Sequence, residues 1–329
     1  MGLIMRMWKP IVLAVISAGL GAVVALALHG AFPHMAGQGG AQIREGGGVY
    51  TNPLLECDVA SGTIDAPKAR FERQLNAEVA EILSQGRAKE IAVYYRDLNN
   101  GPAFGINQSE EFFPASLLKV PLMMAFLKRA EDNKEFLDRK IEYKGSESPS
   151  MATQIIAPEK SLKDGESYSV QTLIEYMIWY SDNSALGALF PLIPQREYSD
   201  LFKRLGINNI DLNNAETKLS VVEYSTFFRV LFNASYLNVE ESEKALELLT
   251  KSVFSEGLRA GVPDSIKVAH KFGERDFGDG YYQLHDCGIV YVPNKPYLLC
   301  VMTRGTNQKE IEKVIADISE LSYKEVTKH

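Results

Sequence analysis

Apolar residues recur every three to four positions along much of the chain, which is the spacing of one buried face of an α-helix. The clearest example runs over 70–84, where one stripe contains Phe71, Leu75, Val79, Ile82 and Leu83. Gly86 follows this stripe and is expected to end the helix. The same spacing predicts seven further helices, over 117–130, 170–180, 184–190, 198–205, 221–232, 240–251 and 310–323.

Runs of apolar and β-branched residues bounded by turn signals predict five strands. Two lie early, over 91–98 and 103–106, on either side of Asn99-Asn100-Gly101. Three lie late, over 266–272, 283–292 and 297–303, and Pro293-Asn294-Lys295 joins the last two. This order predicts a mixed α/β (α+β) fold, in which a five-stranded antiparallel sheet is flanked by helices and the middle of the chain forms an inserted all-helical lobe.

The N-terminus has a different pattern. Arg6 and Lys9 precede 18 apolar or small residues over 11–28, and the next charged residue is Arg44. Positive charge ahead of such a run predicts an extracytoplasmic domain, in the bacterial periplasm or at the cell surface. Residues 1–30 are either a signal peptide, cleaved near Ala25-Leu26-Ala27, or a membrane anchor. We expect a flexible linker and extended lead-in over 31–65, and one folded domain over 66–329.

The net charge of −7 gives no basic patch and argues against nucleic acid as a partner. No C-x-x-C pair or His/Cys cluster indicates a metal, and the sequence predicts no cofactor. Cys57, Cys287 and Cys300 could form one disulfide in three ways or remain thiols, and the sequence does not choose among these possibilities. Cys287 and Cys300 lie on the two arms of one predicted hairpin.

Three short motifs follow one another along the chain: Ser116-Leu117-Leu118-Lys119, then Ser181-Asp182-Asn183, then Lys271-Phe272-Gly273. This set and order resemble the S-x-x-K, S-D-N and K-T-G motifs of the class A β-lactamases and penicillin-binding proteins. The resemblance covers about 66–329 and implies the β-lactamase/transpeptidase-like fold that the element order also predicts. It further implies a serine hydrolase that forms an acyl-enzyme.

The first motif provides a nucleophile and its base. Ser116 is predicted at a helix N-terminus, and Lys119 lies one turn further on the same face. A serine hydroxyl needs an adjacent base to attack a carbonyl carbon. Lys119 can act as that base only when it is neutral, which burial and the charge of Lys271 would favour.

The other site residues follow from the resemblance. It implies that Ser181 relays a proton to the leaving nitrogen, and that Asn183 binds the substrate amide and the first lysine. Lys271 would polarise Ser181 and the substrate carboxylate. We expect Asp182 to cap its turn and His270, which alternates to the opposite face, to be structural.

Gly273 and Glu274, which follow the Lys271-Phe272 pair, complete the predicted site. Gly273 would let the substrate approach the strand edge closely. By position, the backbone N–H groups of Glu274 and Ser116 would form the oxyanion hole, with no role implied for the Glu274 side chain.

The sequence departs from the resembled pattern in two places. Phe272 replaces a residue whose hydroxyl often binds the substrate carboxylate. The class A enzymes also use a loop glutamate to activate the deacylating water. Glu216 is the best candidate here, but only seven residues separate it from the next helix at Tyr224, and the segment 208–222 lacks the E-x-x-L-N pattern. We therefore expect this base to be missing and deacylation to be slow.

The sequence predicts a monomeric hydrolase that β-lactams or related amides, including peptidoglycan-like peptides, acylate on Ser116. Three alternatives remain open: a D-Ala-D-Ala carboxypeptidase, an anchored sensor that binds β-lactams or cell-wall fragments without turnover, and an esterase.

Overall fold

The structure is a computed structural model that describes residues 48–52, 66–99, 101–145, 154–208, 210 and 217–328. Its helices are α1 (Ala66–Ser84), α2 (Lys119–Asp132), α3 (Val170–Trp179), α4 (Asn183–Leu189), α5 (Gln195–Arg204), α6 (Val221–Phe232), α7 (Val239–Leu249) and α8 (Gln308–Thr327). Its strands are β1 (Glu90–Asp97), β2 (Ala103–Ile106), β3 (Glu111–Phe112), β4 (Lys140–Glu142), β5 (Ser167–Ser169), β6 (Leu219–Ser220), β7 (Val268–Asp276), β8 (Tyr282–Val290) and β9 (Tyr297–Gly305).

The five long strands form one antiparallel sheet in the order β2-β1-β9-β8-β7. This confirms the predicted sheet with its flanking helices and inserted helical lobe. Strand β9 lies at the centre, and β7, which carries the third motif, lies at an edge. The edge that β7 does not share with β8 is therefore available to the rest of the site.

Both faces of this sheet are buried, which is why its central strand β9 is apolar without interruption from Tyr297 to Met302. On β9, Leu298, Cys300 and Met302 pack into the core that the sheet shares with the helical lobe. Leu299 and Val301 point the other way, into a second core shared with α1 and α8. The period of two along a strand thus divides one apolar run between two cores.

The structure extends the prediction in two respects. The short strands β3, β4, β5 and β6 have two or three residues each, too few to give a recognisable alternation. Strand β7 continues past Phe272 to Asp276, because Gly273 pairs with His285 and Arg275 with Gln283 on β8. Pairing with β8 thus overrides the weak strand propensity of the Gly273-Glu274 step.

Cys287 and Cys300 face each other across β8 and β9, with their Cα atoms 4.0 Å apart, and form a disulfide. The structure therefore selects the hairpin pairing from those that the sequence left open. Cys57 and the predicted 1–30 segment lie outside the described residues. Among the residues that are described, no helix is long and apolar enough to cross a membrane.

The segment 48–52 contacts α7. The carboxylate of Glu243 accepts hydrogen bonds from the backbone N–H groups of Val49, Tyr50 and Thr51, at 2.9, 2.8 and 2.5 Å. Part of the predicted lead-in is therefore attached to the domain ahead of α1.

Candidate active site

Ser116 lies in a single turn of 3₁₀-helix, Ala115–Leu118, and α2 begins at Lys119. The nucleophile candidate thus lies one turn ahead of the α-helix itself. Ala115 has a φ of 48°, a left-handed conformation that costs a non-glycine residue about 1–3 kcal/mol. Such strain persists only where the surroundings enforce it, and it is common at active sites.

The turn is fixed through its backbone carbonyls. In a continuing helix, the carbonyl of Leu117 would accept a bond from the N–H of residue 121, but Pro121 has none. The Tyr224 hydroxyl donates to the Leu117 carbonyl instead, at 2.9 Å, and the Tyr198 hydroxyl donates to the next carbonyl, that of Leu118, at 2.9 Å. Both tyrosines are buried in the helical lobe, so the lobe determines where Ser116 lies.

The sheet holds in place the residues that immediately precede this turn. His285, fully buried on β8, contacts the carbonyl of Phe113 through Nε2 at 3.1 Å, and its Nδ1 accepts from the N–H of Thr303 at 3.2 Å. Burial lowers the pKa of His285 to about 3, so the ring is neutral and donates through Nε2. Helical lobe and sheet thus hold opposite ends of the same turn.

Lys119 is 1 % exposed, and its Nζ points at the second motif. The amine donates to the backbone carbonyl of Ser181 at 2.5 Å, to Ser181 Oγ at 3.1 Å and to Asn183 Oδ1 at 2.8 Å. Burial lowers the pKa of Lys119 to about 7, although the charges of Asp182 and Glu274 act in the opposite direction. A neutral amine is therefore accessible near neutral pH, as a general base requires.

Lys271 reaches the same hydroxyl from the sheet. Its Nζ lies 2.9 Å from Ser181 Oγ, and the side chain is fully buried. Burial and then the charge of Lys119 lower the pKa of Lys271 well below its ordinary value. Two amines on one oxygen repel each other when both are charged, so the pair favours one charged and one neutral lysine. The Ser181 hydroxyl accepts a hydrogen bond from each amine, which leaves its own proton available to another acceptor.

Ser181 is held in a strained backbone conformation with a φ of 54°. Asp182 caps α4, since its Oδ1 accepts from the N–H of Ser184 at 2.9 Å and its Oδ2 from the N–H of Leu162 at 3.3 Å. Gln154 braces the same loop, donating to the Ser181 carbonyl at 2.9 Å and accepting from the N–H of Asn183 at 3.3 Å. The predicted capping role of Asp182 agrees with these contacts, whereas Gln154 was not predicted.

Gly273 lies against the nucleophile turn. A Cβ atom there would lie 2.7 Å from the Pro114 carbonyl oxygen and 3.0 Å from the Leu117 nitrogen, both of them backbone atoms. The absent side chain thus lets β7 and the turn of Ser116 come together. Its predicted role in substrate approach stays a prediction, and so does the oxyanion hole.

The Glu274 carboxylate has a contact that the sequence did not predict. Its Oε1 and Oε2 accept from the N–H of Ile156 at 2.9 and 3.1 Å. Burial raises the pKa of Glu274, while that N–H and the charges of Lys271 and Lys119 act in the opposite direction. The side chain therefore joins β7 to the segment that carries Gln154.

Phe272 and His270, the two neighbours of Lys271 in sequence, both contact other side chains of the domain interior. Phe272 is stacked on Phe254, with ring centroids 4.2 Å apart, and the Nζ of Lys271 lies 4.1 Å from the Phe272 centroid. His270 Nδ1 contacts Asp286 Oδ1 at 2.9 Å in the sheet interior, as expected for a structural histidine.

The structure thus gathers Lys119, Ser181, Asn183 and Lys271 into one hydrogen-bonded cluster and places Gly273 against the turn of Ser116. The residues that sequence reasoning missed are Gln154, Tyr198, Tyr224 and the side chain of Glu274. A buried tyrosine or glutamine has no motif of its own. Only Pro121, which removes a donor, could have indicated that Leu117 needs another partner.

A buried lysine with a lowered pKa, three residues after Ser116 and hydrogen-bonded to Ser181, within this sheet-and-lobe fold, is typical of the β-lactamase-like serine hydrolases. Residues 72–326 match the model of the β-lactamase enzyme family. The chain therefore belongs to this family.

The chain is 25% identical over 238 residues to the extended-spectrum β-lactamase PER-1 of Pseudomonas aeruginosa, covering 66% of this chain and 76% of that protein. It is 24% identical over 243 residues to a β-lactamase of Streptomyces albus G, covering 69% and 76%. A PBP-A variant, solved as an acyl-enzyme complex with penicillin G, has the same fold, with a TM-score of 0.65 at 21% identity over 78% of this chain and 96% of that one.

Proposed function

We propose that this protein is an extracytoplasmic serine hydrolase that β-lactams or related amides acylate on Ser116, and that it releases the acyl group slowly. The main observation behind this proposal is that the Nζ atoms of Lys119 and Lys271 both donate to Ser181 Oγ. Burying two amines is costly and adds little to folding. The arrangement is understandable if one amine must accept a proton from a nucleophile.

In this mechanism, neutral Lys119 takes the proton from Ser116 Oγ as that oxygen bonds to the amide carbonyl carbon. The resulting oxyanion would be stabilised by the backbone N–H groups of Ser116 and Glu274. The C–N bond then breaks, and the leaving nitrogen takes a proton from Ser181 Oγ. Ser181 recovers that proton from the protonated Lys119, which lies 3.1 Å away.

Two carboxylates that the structure describes in the site, those of Asp182 and Glu274, are engaged with backbone groups, which supports the proposal of slow release. Both oxygens of Asp182 and both of Glu274 accept hydrogen bonds from backbone N–H groups. Between α5, which ends at Arg204, and α6, which begins at Val221, the sequence lacks the E-x-x-L-N pattern of the class A enzymes. Glu216, the candidate from the sequence, lies outside the described residues. Losing general-base help would slow hydrolysis by roughly 10²–10⁴.

One comparison and one disulfide support the rest of the proposal. The PBP-A variant was captured with penicillin G bound as an acyl-enzyme, which supports β-lactams as acylating agents. The Cys287–Cys300 disulfide suits an oxidising compartment, in line with an exported domain anchored or secreted through residues 1–30. We propose a monomer.

A slow acyl-enzyme also fits a D-Ala-D-Ala carboxypeptidase, which shares the acylation step. A sensor that binds without acylation has no need of a base, so Lys119 argues against it. An esterase gains support from Phe272, which offers no hydroxyl to a substrate carboxylate.

The test is an intact-mass time course after mixing the protein with benzylpenicillin. We expect a long-lived adduct with the full mass of the drug, because the leaving nitrogen stays tethered to the acyl group. Ser116→Ala should form no adduct, whereas Ser199→Ala, which removes an exposed hydroxyl on α5, should behave like the wild type.

An adduct that persists in Ser116→Ala would refute the assignment of Ser116 as the nucleophile. A transient adduct with the drug consumed would refute slow release and make the protein an efficient β-lactamase. No adduct together with retained binding would favour the sensor.

A further inference from the structure

The backbone carbonyl of Ser181 accepts hydrogen bonds from two side chains. Lys119 Nζ donates to it at 2.5 Å, and Gln154 Nε2 donates to it at 2.9 Å. Gln154 Oε1 in turn accepts from the N–H of Asn183 at 3.3 Å, and Asn183 Oδ1 accepts from Lys119 Nζ at 2.8 Å. Gln154 therefore bonds to the two residues that hold the amine of Lys119.

The amine of Lys119 has more acceptors than its neutral form can use. Ser181 offers its carbonyl and its hydroxyl, and Asn183 offers Oδ1. An ammonium has three N–H groups for these three acceptors, whereas a neutral amine has two N–H groups and a lone pair. Loss of a proton from Lys119 therefore leaves one of the three acceptors without that donor.

Second donors cover both Ser181 oxygens when the amine is neutral. Lys271 Nζ donates to the hydroxyl at 2.9 Å, and Gln154 donates to the carbonyl. Ser181 is fully buried, and a buried carbonyl without a donor is costly. The N–H group of Gln154 also brings a partial positive charge to the oxygen that Lys119 binds, which disfavours the ammonium. Both effects make the neutral amine, the form that a base requires, easier to reach.

The sheet holds the segment that carries Gln154. Two residues further along, the N–H of Ile156 donates to both oxygens of the Glu274 carboxylate, at 2.9 and 3.1 Å. The segment 154–156 thus joins strand β7 to the loop of Ser181. That loop needs such support, because Ser181 has a φ of 54°, which persists only where the surroundings enforce it.

We propose that Gln154 is a positioning residue for the general base: it keeps the Ser181 carbonyl paired while Lys119 loses its proton. The inference rests on the proposed acylation of Ser116 and adds to that reaction a residue that lies outside the three motifs. Gln154 would act through Lys119 and the Ser181 loop, without touching the substrate.

Acylation should become fast only at a higher pH when Gln154 is replaced by methionine. The charged groups that face Lys119 are Asp182, in the loop, and Glu274 and Lys271, on β7. The substitution leaves these charges in place and removes only one donor and one acceptor. The midpoint of the rise of acylation with pH should therefore move upward by about 0.5–1.5 pH units. Below the midpoint, acylation at a given pH should be about 3- to 30-fold slower, while the plateau above it changes little.

Quenched mass spectrometry with saturating benzylpenicillin gives the acylation rate constant across this pH range, and Ser116→Ala gives the background. The control for Gln154→Met is Gln195→Met, which removes an exposed glutamine on α5 and should keep the wild-type midpoint. A second variant, Gln154→Glu, retains an acceptor for the N–H of Asn183. When ionised it has no donor for the Ser181 carbonyl and adds a negative charge, so its midpoint should move further upward. Melting curves show whether the variants are folded.

A midpoint that stays in place in both Gln154 variants, or a rate lowered by one common factor at every pH, would make Gln154 a brace of the loop alone and overturn the inference. Loss of cooperative melting in both variants would assign Gln154 to folding and overturn it too. In these cases the proposed function stands as long as wild-type acylation depends on Ser116. If the wild type forms no Ser116-dependent adduct, the proposed function itself fails.

Discussion

Replacing Gly273 with alanine tests whether strand β7 fixes the position of the nucleophile. The new Cβ would lie 2.7 Å from the Pro114 carbonyl oxygen, 2.9 Å from Leu117 Cγ and 3.0 Å from the Leu117 nitrogen. Ordinary contact distances are about 3.5 Å, so the turn of Ser116 must move by roughly 0.5–0.8 Å. Because two of the three atoms belong to the backbone, no change of rotamer removes the clash.

A displacement of 1 Å in an active site costs about 10²-fold in rate, so we expect acylation to slow by about 10- to 100-fold. Overpacking should also reduce the free energy of unfolding by about 1–3 kcal/mol. For a domain of this size, that loss lowers Tm by about 2–12 °C.

Quenched mass spectrometry gives the acylation rate constant with benzylpenicillin, and calorimetry gives Tm. The matched control is Gly145→Ala, since the nearest atoms to its Cβ are side-chain atoms at 3.5 and 3.6 Å. The control should change stability by less than about 0.5 kcal/mol. A Gly273→Ala protein that acylates and melts like the wild type would show that β7 does not constrain the turn.

Two further predictions concern the base and its support. Because burial lowers the pKa of Lys119 to about 7 and only the neutral amine accepts a proton, the acylation rate should rise with pH, about tenfold per unit below about 7, and level off above it. Lys119→Arg should abolish acylation across the range, and a flat wild-type profile would contradict the assignment. Tyr224→Phe should lower the free energy of unfolding in urea by about 1–3 kcal/mol, because it deprives the buried Leu117 carbonyl of a donor. Tyr281→Phe, at a half-exposed position, should change nothing, and equal midpoints for the two variants would argue against the bond to Leu117.

Much of the fold was predictable because it depends on local periodicity. The pattern placed eight helices and five long strands where the described residues have them, and the motif order identified the family. The short strands and the extension of β7 were not predictable, because pairing with distant residues stabilises them. The disulfide shows the same limit, since only the β8–β9 register brings Cys287 opposite Cys300.

The candidate site divides in the same way. The sequence supplied Ser116, Lys119, Ser181, Asn183 and Lys271, since their types and spacing are specific as a set. It did not show that both lysines meet at one hydroxyl, because that contact joins a helix, a loop and an edge strand from three separate parts of the chain. It also gave no reason to link Gln154 to Ser181.

The sequence by itself determined the element order, the family and the identity of the chemical groups, all of which follow from local spacing and side-chain type. Only the tertiary structure decided their protonation and their neighbours. The pKa of Lys119 depends on burial by distant segments, and the need for glycine at 273 depends on a turn more than 150 residues earlier in the chain. Burial, close approach and charge coupling depend on distances in space, and the folded chain sets those distances across large separations in sequence.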